Sequence, residues 1–300
     1  MRDSLPAAST LAELLPAAQR DGYAVPAFSA RYLACVRPLV EAAMGQRAPF
    51  VLEISQRELG WFDLTPEAFR DEVERVVGDL EVDVPFALHL DHTFSEPLIV
   101  EAMDAGFTSV MIDASSETLD RNVARTRAVV DEAHGRGISV EAELGRLTTT
   151  DRMETEGGVD AYTDPEEASH FVGASGCDAL AVSVGTAHGV YPPAGPTIDF
   201  ARLSAIRAAI GATPIVLHGG SGLPADLVAR AVSLPAGGIS KMNIATDFEH
   251  ALLAAMNGAE RMTSAALDAA DPDLRARGLA AVYRVARDKI GLLLAGGRAA

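Results

Sequence analysis

Cysteine is nearly absent from this chain, with Cys35 and Cys177 the two among 300 residues. Both fall in segments of helical spacing, so no disulfide framework is expected and a reducing, cytoplasmic setting is. Lysine is equally scarce: Lys241 and Lys289 are the two, and Lys plus Arg total 25 against 42 Asp plus Glu. The resulting net charge of −17 argues against nucleic acid or an anionic membrane as partner, because a phosphate backbone needs a basic footprint. A small phosphorylated ligand stays open, since backbone N–H groups hold phosphate locally. Long apolar runs are missing too. The opening MRDSLPAAST has no continuous apolar core of signal-peptide length, and no later run could span a bilayer. No GxGxxG follows the first strand candidate, which counts against an open, doubly wound dinucleotide-binding sheet.

What the chain does have is alternation. Short apolar runs at 23–30, 49–55, 84–93, 109–115, 139–145, 179–185, 214–218 and 239–246 read as strands. Helical patterns at 31–46, 64–80, 96–106, 117–137, 164–176, 199–211 and 223–234 separate them, and 9–22 forms a leading helix. Beyond residue 246 come a helix, a linker near 269–273 and a closing helix to about 294. Alternation of this kind implies a parallel sheet with right-handed crossovers. Eight units close naturally into a (β/α)8 TIM barrel, here one domain over 1–300 with an N-terminal helix and a C-terminal helical extension for packing or subunit contacts. The stretch 146–162, RLTTTDRMETEGGVDAY, is too long and polar for a routine connection and reads as a lid.

Barrel chemistry sits at the carboxyl ends of the strands, and these ends are rich in titratable groups. In VPFALHLDHT (84–93), period-two geometry puts His89 and Asp91 on one face. His92 is out of phase but, as the last residue before the turn, reaches the rim. Asp113 ends the fourth run, Glu141 and Glu143 lie in the fifth, His188 follows the sixth, His218 ends the seventh, and Asn243 and Asp247 close the eighth. Three rim histidines, His92, His188 and His218, fit a catalytic zinc with an open position; three unrelated histidines bonded to neighbours fit the same pattern. Gly189 follows His188, while Gly219, Gly220 and Ser221, with the amides of Ala245 and Thr246, lie in the seventh and eighth loops, where barrels often bind phosphate. The same glycines also suit plain turns needing positive φ. His134, His170 and His250 fall in helices and read as surface residues.

In order along the chain, HLDH (89–92), MIDAS (111–115), VEAELG (140–145), GTAHGVY (185–191), LHGGSG (217–222) and KMNIATD (241–247) resemble the zinc-dependent class II ketose-bisphosphate aldolases, the fructose- and tagatose-bisphosphate aldolases. The NIATD variant, with Ala245, is closer to the tagatose-type branch. The resemblance implies a homodimeric or homotetrameric lyase that cleaves a phosphorylated ketose to dihydroxyacetone phosphate and an aldehyde. It implies zinc on His92, His188 and His218, Asp91 as acid/base on the C4 hydroxyl, and Glu143 and Asp113 supporting the metal or holding an additional divalent or monovalent cation. Gly189, Gly219, Ser221, Asn243 and Thr246 would contact the dihydroxyacetone-phosphate half, and Glu156 in the long loop would shuttle the carbanion's proton. The chain departs from the family at two positions, Ser29 for asparagine and Glu53 for glutamine. Both would alter recognition of substrate hydroxyls, and Glu53 would add a negative charge.

Three other readings compete. Lys241 could form an imine with a carbonyl substrate, the zinc could activate water in a metallohydrolase, or the barrel could be a non-catalytic sugar-phosphate-binding subunit. An aldolase for a non-standard ketose is a variant of the leading expectation.

Overall fold

The computed structural model describes residues 5, 8–145, 162–191, 195–235 and 237–299. The expected lid, residues 146–162, lies outside them except for Tyr162, and Glu156 lies outside with it.

The chain enters through α1 (Leu11–Asp21), whose Thr10 and Glu13 form a reciprocal capping box and whose end turns at Gly22 with φ +68°. The amide of Leu11 donates to Ser139 Oγ at 2.9 Å and that of Ser9 to Phe86 O at 2.6 Å. These contacts seat α1 under the amino-terminal ends of two strands, with Leu11, Leu14, Leu15 and Ala18 buried beneath the barrel. Then follow β1 (Val25–Ser29), α2 (Val36–Gly45), β2 (Phe50–Ser55), α3 (Gln56–Phe62), α4 (Pro66–Leu80), β3 (Phe86–Thr93), α5 (Glu96–Ala105), β4 (Ser109–Ile112), α6 (Leu119–His134) and β5 (Ser139–Leu144). The second half runs α7 (Pro165–Ser175), β6 (Ala179–Val182), α8 (Phe200–Ile210), β7 (Ile215–Leu217), α9 (Ala225–Val232), β8 (Lys241–Ile244), α10 (Thr246–Ala255), α11 (Ser264–Asp268) and α12 (Pro272–Leu292).

The strands pair in chain order, all parallel, and β8 returns to β1 to close the barrel. This is the expected (β/α)8 architecture. Of the two roles open to the C-terminal extension, packing is seen: α12 lies against α2 and α10. The register sets Ser29 beside Glu53, Glu53 beside His89, and Ser55 beside Asp91, so one inward-facing layer carries polar groups across three strands. The outward layer is apolar: Phe50 stacks on Phe86 with centroids 5.4 Å apart, and both rings are buried between sheet and helices.

Three local differences from the sequence expectation matter for the site. The register of β3 against β4 shifts between Leu90 and Thr93, and His92 sits at φ +31°. This bulge brings His92 back in phase, so that neighbouring Asp91 and His92 both face the mouth. The expected helix over 31–46 begins as a 3-10 turn at Leu33–Cys35 and becomes α-helical at Val36, leaving Arg31 at the barrel edge. Finally, α3 was not expected at all. Its signal is the S-x-x-E of Ser55–Glu58, a capping box in which each side chain bonds the other's backbone amide.

Candidate active site

The carboxyl ends of the strands open into a cavity of about 500 Å³, within the range of small-molecule sites. Its wall includes Asp91, His92, Asp113, Glu143, His188, Gly189, Gly219, Gly220, Ser221, Asn243, Ala245 and Thr246. His218 lies fully buried beneath it.

The three rim histidines converge. The His92 ring centroid lies 4.8 Å from that of His188 and 4.3 Å from that of His218, and His188 and His218 are 5.9 Å apart. One nitrogen of each lies within 4.8 Å of the other two. Carboxylates orient two of the rings: His92 Nδ1 is 3.1 Å from Asp113 Oδ2, and His218 has Nε2 3.0 Å from Glu141 Oε1 and Nδ1 3.1 Å from Glu143 Oε2. Asp113 is itself fixed, its Oδ1 accepting from the Ser115 amide at 3.1 Å and hydroxyl at 2.7 Å. Supporting contacts of this kind set the tautomer and aim of metal-binding imidazoles. His92 Nε2 is buried and has no hydrogen-bond partner among the described residues, which is costly unless something binds there.

The electrostatics agree. Burial works against charge on all three rings, yet His92 is held well above the ordinary imidazole range by Asp91, Asp113 and Glu143. His218 is pushed up to about 9 by bonds to Glu141 and Glu143 against burial and the nearby His92. His188 is driven well below by burial and by the other two rings. The buried carboxylates thus make this end of the barrel attractive to positive charge. Three nitrogen donors with carboxylates behind them fit a zinc-type ion. A second donor group, His92 with Asp113 and Glu143, overlaps the first.

Asp91 is 6% exposed, beside this cluster. Burial alone would raise its pKa, but His92, Lys241 and His218 hold it below the usual carboxylate value, so it is ionised at neutral pH. Its Oδ1 accepts from Asn243 Nδ2 at 3.1 Å.

The glycines at the opposite wall are constrained by close approach. Gly219 has φ +70°, and a Cβ there would stand 2.4 Å from Ala187 O; one on Gly220 would stand 2.6 Å from Asn243 O. Ser221 Oγ accepts from the amides of Ala245 and Asp247, both at 3.2 Å, and so ties the two expected phosphate loops together. The Ala245 amide is therefore engaged within the protein. Thr246 opens α10, whose N-terminus faces the cavity. Asp247 points away, pairing with Lys289 at 2.5 Å.

Ser29 and Glu53, the two departures, also line the cavity. Ser29 Oγ donates to Glu58 Oε2 at 2.7 Å. Glu53 is 1% exposed, and burial pushes its pKa up to about 8 although Lys241 Nζ stands 3.2 Å away. Its nearest charged partner is thus the buried Lys241 ammonium. Lys241 is fully buried, hydrogen-bonded to Asn243 and ion-paired with Glu141, with no open path or free lone pair for an imine. Arg275 and Arg277 bond to Asp268 and Asn257 respectively and do not line the cavity.

The sequence reading missed the side chains that α3 brings to the cavity: Arg57, Glu58 and Trp61, with Ser55 before them. Arg31, bonded to Glu58 at 2.7 Å and Glu249 at 2.6 Å, lines the same side.

A parallel eight-stranded barrel with three convergent imidazoles and an ionised carboxylate at its mouth defines a barrel enzyme whose reaction centre lies among the β–α loops. Comparison with known proteins narrows the class. The family model for class-II fructose-bisphosphate aldolase matches residues 9–298. The chain is 39% identical over 242 residues to the fructose-bisphosphate aldolase of Geobacillus stearothermophilus, covering 79% of this chain and 80% of that one. It is 37% identical over 241 residues to that of Staphylococcus aureus Mu50, covering 79% and 81%. Among solved structures, the YdjI aldolase of Escherichia coli K12 superposes with a TM-score of 0.82 at 30% identity, over 98% of this chain and 100% of that one. The chain belongs to the class-II fructose-bisphosphate aldolase family.

Proposed function

We propose that this protein catalyses the metal-dependent, reversible aldol cleavage of a ketose bisphosphate of the fructose- or tagatose-1,6-bisphosphate type to dihydroxyacetone phosphate and an aldehyde. The observation that carries the reading is the convergence of His92, His188 and His218 beside an ionised Asp91 in one cavity. The named relatives support the same reaction class.

His92, His188 and His218 would hold zinc, with Asp113 in contact with the His92 ring and Glu141 and Glu143 in contact with that of His218. Zinc there would act as a Lewis acid, withdrawing electron density from the carbonyl next to the breaking bond. The overlapping His92, Asp113 and Glu143 donors are where a second divalent or a monovalent cation would sit. Asp91 takes the proton of the C4 hydroxyl as the C3–C4 bond breaks and C4 becomes the aldehyde carbonyl; in the condensation direction it returns that proton. Gly189, Gly219, Ser221, Asn243 and Thr246 would hold the dihydroxyacetone-phosphate half at the N-terminus of α10, with Ala245 lining the wall beside them. Ser29 and Glu53 would meet the hydroxyls of the substrate, and Glu156 would protonate the carbon freed by cleavage. A reducing, cytoplasmic compartment suits the two free, buried cysteines.

The test is a substrate comparison. Fructose- and tagatose-1,6-bisphosphate are offered to zinc-loaded protein, and dihydroxyacetone phosphate is offered in the reverse direction with a panel of phosphorylated and unphosphorylated aldehydes. Cleavage of at least one C4 epimer, with release of dihydroxyacetone phosphate, is expected. Turnover of neither epimer and condensation with no aldehyde would reject the reading.

A further inference from the structure

Lys241 is a cation with no access to substrate. It lies in β8 at the centre of the barrel, with no exposed surface. Its ammonium reaches three partners: Asn243 Oδ1 at 2.7 Å, Glu141 Oε2 at 3.0 Å and Glu53 Oε2 at 3.2 Å. An ammonium has only donors and no acceptor; it donates to Asn243 and pairs its charge with the two carboxylates. Neither a covalent nor a phosphate-binding role is open to it.

Its effect is felt one residue pair further on. The carboxamide of Asn243 lies between Lys241 on one side and Asp91 on the other, its Nδ2 donating to Asp91 Oδ1 at 3.1 Å. A carboxamide can be turned end for end with little change of shape. Here only one orientation satisfies both neighbours: the oxygen must face the group that only donates, and the nitrogen must face the group that only accepts. With Oδ1 of Asp91 held by that amide, rotation of its carboxylate is fixed and its other oxygen is the one left for a substrate proton.

We propose that Lys241 is a positioning residue for Asp91, acting through Asn243. Glu53 from β2 and Glu141 from β5 hold the ammonium, the ammonium orients the amide on β8, and the amide sets the carboxylate on β3. The inference rests on the reading of Asp91 as the acid/base of the aldol step. It assigns to Glu53 a task in the barrel interior, as a partner of Lys241.

The experiment separates positioning from simple structural support. Lys241→Met leaves Glu53 and Glu141 without their cation and could fail to fold, so Glu53→Gln/Lys241→Met is made beside it and compared with Glu53→Gln. Folding is checked by thermal unfolding and zinc by metal analysis. Two reactions are then measured on the zinc-loaded proteins: cleavage of the ketose bisphosphate, and exchange of a hydroxymethyl proton of dihydroxyacetone phosphate with D2O. Exchange involves no C4 hydroxyl and hence no transfer to Asp91. Loss of Lys241 is expected to lower kcat for cleavage by about 100-fold, as for a misplaced reacting group, with exchange less affected than cleavage. In an Asp91→Asn background the same substitution should change residual cleavage by less than about twofold, since the two residues act in series. A folded variant that cleaves like its Lys241-containing parent overturns the proposal. So does loss of cleavage and exchange in equal proportion, or full additivity with Asp91→Asn. Wild-type protein that cleaves no ketose bisphosphate would instead overturn the functional reading on which the proposal stands.

Discussion

Asp91→Asn should lower kcat for ketose-bisphosphate cleavage by roughly 10²–10⁴-fold, the range for loss of a positioned general base, while zinc content and thermal midpoint stay close to wild type. The substitution keeps the shape of the side chain. The Asn243 amide, 3.1 Å from Oδ1, still finds an oxygen to donate to, and His92 and His218 keep their own carboxylate supports. What is removed is the acceptor for the C4 proton. In the wild type that acceptor is ready at neutral pH: burial opposes its charge, but His92, Lys241 and His218 outweigh burial and keep it ionised. Steady-state kinetics with metal quantification on the same preparation decide the matter. A fall in kcat with metal retained is the expected pattern. A kcat within about tenfold of wild type would assign the proton to another group, and a change confined to KM would make Asp91 a binding residue.

The second large effect concerns stability. Arg31 leaves the end of β1 with its side chain 4% exposed and lies between two buried carboxylates, Glu58 at the start of α3 and Glu249 in α10. Glu58 also accepts from Ser29 Oγ at 2.7 Å and the Ser55 amide at 3.0 Å, and Glu249 from Arg261 Nε at 2.8 Å. One guanidinium therefore ties two helices and a strand end together along one wall of the cavity. Removing one member of a buried pair leaves the other charge uncompensated, at about 3–5 kcal/mol. Arg31→Met, which conserves much of the volume, should lower the thermal midpoint by on the order of 10 °C. Arg37→Met gives the contrast. Arg37 meets Asp79 at 2.7 Å, but both side chains are more than a third exposed, and such pairs contribute about 0–1 kcal/mol. Equal shifts for the two substitutions in a calorimetric scan would contradict the assignment of Arg31 to the buried frame.

The barrel was legible in the sequence because a buried parallel strand needs a short apolar run and the crossover needs a helix; eight repeats of that rhythm leave few closed alternatives. The rim residues were legible for the same reason, since each carboxyl end can be read once each strand is found. His92 was harder. Strict alternation turns it away from Asp91, and only the bulge and the positive φ between Leu90 and Thr93 bring it to the mouth. The helix α3 was passed over because it spans seven residues, too few for an amphipathic period to show, although its capping box is written in Ser55 and Glu58. With it went Arg57, Glu58 and Trp61. The expected strand over 239–246 is shorter, Lys241–Ile244, because α10 already begins at Thr246. The surroundings of Lys241 were not legible at all. Its partners Glu53 and Glu141 lie on β2 and β5, and only closure of the barrel brings them across its axis.

The proposed function makes His92, His188 and His218 one metal centre on which turnover depends. The direct measurement is reconstitution: protein stripped with a chelator and verified metal-free is titrated with zinc while cleavage of its ketose bisphosphate is followed, in parallel with His218→Ala. Activity should be lost on stripping, return with a break at one zinc per chain, and fail to return in His218→Ala. Full cleavage by verified metal-free protein, or equal recovery in His218→Ala, would contradict it.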